Sequence, residues 1–174
     1  MKKAAKRIYL GKYIVLALLL LAAAAGGLYW YMTTEKRDEV LIKNMLNTLA
    51  EDLSKSDKES TATALLKVKG VAGVFADPMI FGMDRYAAGS YDRDRLLSSI
   101  GRYRTLIGKA EVTASDIIVE MQGKNQAKAS FSGRFSGSLK NGMSDTIVKD
   151  IEAEFIKTDG KWLIKSMKFR NVLH

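Results

Sequence analysis

The chain has 174 residues, 47% hydrophobic and 27% charged, which fits one globular domain plus a short extra segment and not two domains. It has no cysteine, which excludes disulfides, cysteine nucleophiles, iron–sulfur clusters, thiolate zinc sites and a lipid-modified cysteine. The net charge of +9 is uneven: Lys2, Lys3, Lys6, Arg7 and Lys12 all precede the first acid, Glu35, which leaves a remainder of about +4 with acids and bases intermixed. That pattern does not point to nucleic acid, though a mild attraction to anionic lipid headgroups is compatible with it.

Residues 13–32, YIVLALLLLAAAAGGLYWYM, carry no charge. Twenty residues at a helical rise of ~1.5 Å match the ~30 Å hydrocarbon core of a bilayer. Tyr13 stands at one end, and Tyr29, Trp30 and Tyr31 cluster at the other, as an interfacial aromatic belt does. The expected organisation is a basic cytoplasmic stub (residues 1–12), one transmembrane helix (13–32) and a folded extracytoplasmic domain (35–174). The positive-inside rule sets that orientation, which corresponds to a bacterial-type inner membrane with the domain in the periplasm. A cleavable signal peptide is the competing reading, supported by the small-residue run at 22–27 and opposed by the apolar residues that continue after it.

Within residues 40–53, Ile42, Leu46, Leu49 and Leu53, widened by Leu41 and Met45, form one helical stripe. Ser56-Asp57-Lys58-Glu59 reads as a capping box, so a second helix is expected over residues 57–67 with Ala62, Leu65 and Leu66 inward. The lone proline, Pro78, limits residues 79–83 to a short irregular or edge strand, and Gly89-Ser90 reads as a turn. A third helix, capped by Ser90 or Asp92, places Leu96, Ile100 and Tyr103 on one face and ends at Gly108.

Beyond Gly108 the period changes from helix to strand. Residues 111–121 are rich in Val and Ile. Ala127, Ala129, Phe131, Gly133 and Phe135 alternate with Lys128, Ser130, Ser132, Arg134 and Ser136. Ile147, Ile151, Ala153 and Phe155 alternate in the same way, and Asp159-Gly160 marks a hairpin leading into residues 162–169. Three helices followed by a four-stranded antiparallel meander is an α+β pattern.

The helix over residues 95–106 followed by the strand over 112–121, and the final hairpin EAEFIKTDGKWLIKSMKF (152–169), resemble the nuclear transport factor 2-like (cystatin-like) superfamily. The resemblance covers residues 35–174 and implies a cone-shaped domain of three N-terminal helices packed on a curved antiparallel sheet, preceded here by the transmembrane helix. The arrangement of stub, span and domain is also similar to the bitopic inner-membrane scaffold subunit of type IV secretion systems.

Members of the superfamily that transfer protons use a His–Asp pair or an aspartate base with a tyrosine. The single histidine, His174, is the last residue, where packing does not position a side chain. Asp84, Tyr86, Tyr103 and Asp116 fall in no matching spacing. Phosphate-loop, nucleophile-elbow, HExxH and EF-hand motifs are absent. The expectation is therefore no catalytic residue, no metal, no cofactor and no enzyme activity. The expected function is a non-catalytic, membrane-anchored extracytoplasmic binding or scaffold domain, part of an envelope or secretion-type assembly. Its partners would be the bilayer, through the anchor, and envelope proteins. The alternative is a small-molecule or lipid-binding pocket domain that takes an apolar ligand, with Tyr103, Phe131, Phe135, Phe155 and Met167 as lining residues.

Overall fold

The computed structural model describes residues 33–83, 87–140 and 142–171. The folded unit is Glu39–His174. Its frame is the meander that the alternating sequence predicts: β3 (Ile107–Met121), β4 (Gln126–Leu139), β5 (Ser144–Thr158) and β6 (Lys161–Asn171). The register puts like with like. Ala129 lies opposite Ala153 and Phe131 opposite Ile151, while Lys128 faces Glu154 and Ser130 faces Glu152. One sheet face is therefore apolar and buried, and the other is polar. Asp159 and Gly160 both have positive φ, 51° and 75°, as a two-residue hairpin with the twist of its strands requires.

The sheet has six strands and is mixed, in the order β2-β1-β6-β5-β4-β3. This corrects the purely antiparallel expectation. β1 (Phe75–Met83) runs through Pro78 and lies parallel to β6, with Phe81 opposite Met167. β2 (Ala87–Tyr91) is a strand and not the expected turn: Gly89 pairs with Phe81. Pro78 is tolerated because the β1–β6 register is interrupted between Phe75 and Ile80, where a missing N–H breaks no regular ladder.

Three helices cover the apolar face. Helix α1 spans residues 33–53, and its part from Glu39 onward belongs to the folded unit. Ile42, Leu46 and Leu49 are 0–4% exposed and share one core with Phe131, Phe155, Ile164 and Met167. Leu41, expected in that stripe, is exposed.

Helix α2 (Thr61–Gly73) starts four residues later than the capping-box reading places it. Its N-cap is Ser60, whose hydroxyl accepts from the Thr63 N–H. The helix continues through Gly70 and buries Val71 and Ala72. Ala62, Leu65 and Leu66, expected inward, are all exposed. Helix α3 (Arg93–Leu106) is capped by Asp92, which accepts from the Arg95 N–H at 2.8 Å, and passes directly into β3.

Among the described residues no helix is long and apolar enough to cross a membrane. The expected span at 13–32, with Tyr13, Tyr29, Trp30 and Tyr31, lies outside the described residues, as do Asp84, Tyr86 and His174.

Candidate functional site

The lining residues expected from the sequence are placed in two groups. Phe131, Phe155 and Met167 are 7%, 1% and 6% exposed and belong to the hydrophobic core. Tyr103 and Phe135 meet edge to face, with ring centroids 6.2 Å apart. Burial pushes the Tyr103 hydroxyl up to about 12, against a smaller opposite effect of Arg104, so the phenol is a neutral donor at ordinary pH.

One group of titratable side chains, partly buried, is one that the sequence did not announce. It forms where the end of α1, the connection to α2, and α3 converge. Arg104 is the only buried arginine side chain among the described residues, at 6% exposure. Its Nη2 donates to the Glu59 carboxylate, itself 4% exposed, and its Nη1 donates to the Asp52 carbonyl at 2.8 Å. Lys67 joins Glu59 at 3.3 Å and also donates to the carbonyls of Ser54 and Glu51 at 3.1 and 3.3 Å, which engages all three of its N–H groups. Lys55 donates to the carbonyls of Arg104 and Ile107 at 2.7 and 2.5 Å, so the end of α3 is tied from both sides. The Arg104 Nε–H, by contrast, is buried with no hydrogen-bond partner.

The two carboxyl groups of this cluster are driven apart. Burial holds the Asp52 carboxyl above its usual range, more than Lys67 and Arg104 lower it, and the charge of Glu51 adds to the rise. Burial also pushes Glu59 up, but the hydrogen bond and charge of Arg104, joined by those of Lys67, outweigh it and leave Glu59 below its usual range. Both carboxyls answer to the same two cations, Lys67 and Arg104, with opposite net displacements, and carboxyls displaced apart are candidates for distinct proton-transfer roles. Asp52 is half-buried and reachable; Glu59 is not. A Cβ on Gly70 would lie 2.5 Å from Asp52 Oδ2, so glycine at this point of α2 makes room for that carboxylate.

A cavity of about 330 Å³ lies on the opposite, polar face of the sheet, among Glu120, Lys128, Ser130, Glu152, Glu154 and Lys168. Its charges are largely spent on one another or on neighbours: Lys128 is 3.9 Å from Glu154, Ser166 donates to Glu154 at 3.1 Å, and Arg170 pairs with Glu152 at 3.0 Å. Among the described residues no group of His, Cys, Asp and Glu could hold a metal ion.

The sequence missed the Asp52–Glu59–Lys67–Arg104 cluster because its members come from three helices and one connection. One signal was present: Glu59 completes a capping-box pattern but cannot cap a helix that begins at Thr61.

No protein-family model and no curated protein matches the sequence. Solved structures do match. A provisionally named scytalone dehydratase from Novosphingobium aromaticivorans superposes with a TM-score of 0.69 at 12% identity, over 82% of this chain and 89% of that one. A protein from the same genus and species, provisionally named an aromatic ring hydroxylase, gives 0.66 at 11% identity over 79% and 91%. A LinA-type3 hexachlorocyclohexane dehydrochlorinase from Novosphingobium barchaimii gives 0.64 at 13% identity over 79% and 88%. At such identities the likeness shows the fold alone, and that fold is the nuclear transport factor 2-like cone that the sequence resembles.

These neighbours overturn the expectation of a non-enzymatic scaffold or simple pocket domain, since they bear enzyme names and none of the three names an envelope assembly. A histidine base or an Asp–Tyr pair leaves a motif along the chain, whereas carboxylates whose protonation is set by burial and a buried arginine leave none. What the chain shares with these proteins is the fold.

Proposed function

We propose that this chain catalyses a proton-transfer elimination on a small molecule, with Asp52 as the base and Arg104 as the buried residue that positions it. The observation that carries the reading is a half-buried carboxylate, Asp52, seated against Gly70 of α2 and held at its backbone by the Arg104 side chain that Glu59 fixes. The names of two fold neighbours, a dehydratase and a dehydrochlorinase, both denote loss of a small molecule HX from adjacent carbons.

In such a step the Asp52 carboxylate accepts the proton from carbon. The C–H electron pair becomes the new π bond, and the leaving group departs with the C–X pair as an anion. Burial raises the Asp52 pKa, which makes its carboxylate a stronger base than an ordinary aspartate. Arg104 lies behind the base: its Nη1 donates to the Asp52 backbone carbonyl at 2.8 Å and its side chain is buried, so it positions the Asp52 segment without touching substrate. Glu59 and Lys67 are positioning residues: Glu59 fixes the guanidinium plane, and Lys67 fixes Glu59.

The site is presented by a chain whose residues 13–32 are retained as a single span, with residues 1–12 in the cytoplasm and the folded unit in the periplasm. The uncharged twenty-residue stretch, its flanking aromatics and the basic stub support this location.

The test is turnover of a panel of small β-chloro and β-hydroxy carbonyl or cyclic compounds by the full chain, read as chloride release or alkene absorbance. Asp52→Asn should lower kcat by at least ~100-fold, the scale of a general base. Arg104→Lys should lower kcat while leaving the fold intact by circular dichroism. If no compound turns over faster with the parent chain than with Asp52→Asn, the reading is wrong.

A further inference from the structure

Helix α2 carries two apolar stripes, and the fold covers only one. The inward stripe is Ala64, Val68, Val71 and Ala72, of which Val71 and Ala72 are buried. The other is Ala62, Leu65, Leu66 and Lys69, at the i, i+3, i+4, i+7 spacing of a helix face. Its leucines are 55% and 71% exposed, and Leu66 is the most exposed large hydrophobic residue described. α2 contains no acid; its charges are Lys67, held by Glu59, and the exposed Lys69, with exposed Lys58 just before the helix. An exposed leucine face with Lys69 on it and Lys58 before it, against one exposed acid, Asp57, has a composition that suits a bilayer interface, apolar side down and ammonium groups at the phosphates.

We infer that the Ala62–Leu65–Leu66–Lys69 face of α2 docks on the surface of a bilayer containing anionic lipid. A second copy of the chain is the weaker occupant. Two leucines and an alanine fall far below the ~800 Å² per partner of a stable interface. A membrane contact needs no such area when the protein is already tethered, because tethering supplies a high effective concentration and a weak contact then suffices. The inference rests on the proposed anchor at residues 13–32 for that tether. It does not rest on the catalytic reading.

The absence of cysteine makes a clean test available. Full-length chain with Ala62→Cys, carrying an environment-sensitive NBD label, is reconstituted into vesicles of phosphatidylcholine alone or with phosphatidylglycerol. Resistance to carbonate extraction is measured first and reports on the anchor separately: an extractable chain refutes the tether and, with it, the inference. For a carbonate-resistant chain, spin-labelled lipid should lower the emission about twofold in vesicles with phosphatidylglycerol, as expected for a probe at the acyl–headgroup boundary. The loss should shrink in phosphatidylcholine alone, and also in the Leu65→Ser/Leu66→Ser and Lys58→Glu/Lys69→Glu variants. An emission unchanged by spin-labelled lipid in a carbonate-resistant chain overturns the inference. So does an emission that changes only with protein density in the vesicle, which would assign the face to a second copy.

Discussion

The Glu59 carboxylate is held by the Arg104 guanidinium, and both side chains are nearly sealed from solvent, at 4% and 6% exposure. A buried pair of this kind offsets its own desolvation only while both partners are present. Arg104→Met or Glu59→Gln should each destabilise the folded unit by ~3–5 kcal/mol in urea denaturation, because each strands one charge in the interior. The double change Glu59→Leu/Arg104→Met should recover most of that loss. A double variant as unstable as the sum of the singles would show that the pair is not coupled.

The two carboxyls predict opposite pH behaviour. The Glu59 pKa is lowered in the folded state, so its contribution is present above 4.5 and is lost as pH falls through the lower folded value. The Asp52 pKa is raised, so its contribution is present below 3.8 and is lost as pH rises through the higher folded value. At pH 7 Asp52→Asn should therefore be more stable than the parent, with the advantage shrinking toward pH 3. Glu59→Gln should be less stable at pH 7, with the deficit fading in acid. Thermal melts of both variants from pH 3 to pH 8 check the signs, and parallel curves for the two would contradict them.

Gly70 gives a way to disturb Asp52 without removing it. A Cβ there would meet Asp52 Oδ2 at 2.5 Å, so Gly70→Ala must displace the carboxylate. Alanine also favours the helix by ~1 kcal/mol, so stability should change little while turnover falls. Unchanged turnover in Gly70→Ala would mean that the position of that carboxylate does not matter.

Two glycines of β4 separate hard from soft neighbours. A Cβ on Gly137 would lie 2.8 Å from the Lys109 carbonyl oxygen and 2.8 Å from Phe135 Cζ, so backbone would have to move. A Cβ on Gly133 would meet only the tip of Ile151, Cδ1, at 2.5 Å. Gly137→Ala should cost ~1–3 kcal/mol, the range of overpacking, and Gly133→Ala less. Shortening Ile151 to Val should reduce the Gly133→Ala cost further. Denaturation midpoints that rank the two glycines the other way would count against this packing.

What local pattern could show, it showed. The alternation in β4 and β5, the Asp159-Gly160 hairpin and the Ile42–Leu46–Leu49 stripe are short-range signals, and the structure places each as the period requires. The failures are tertiary. β1 is a strand because it pairs in parallel with β6, more than eighty residues later in the chain, and neither Pro78 nor Gly89 reveals that. Glu59 looks like a capping residue until Arg104, 45 residues away, is seen to hold it. Ala62, Leu65 and Leu66 have the right period for burial, but periodicity says only that they share a face and not what covers it. The candidate site was illegible for the same reason: Asp52, Glu59, Lys67 and Arg104 form no motif along the chain and meet only in the fold.

The most direct test of the central claim is a carboxyl ¹³C NMR titration of the full chain labelled at Asp and Glu, with Asp52→Asn and Glu59→Gln used to assign the two resonances. Asp52 should titrate above 3.8 and Glu59 below 4.5; in Arg104→Met Glu59 should move back up toward its ordinary value, while Asp52, which loses a lowering charge, should rise further. Both carboxyls titrating at ordinary values, or Asp52 below and Glu59 above theirs, would remove the basis for assigning Asp52 as the base.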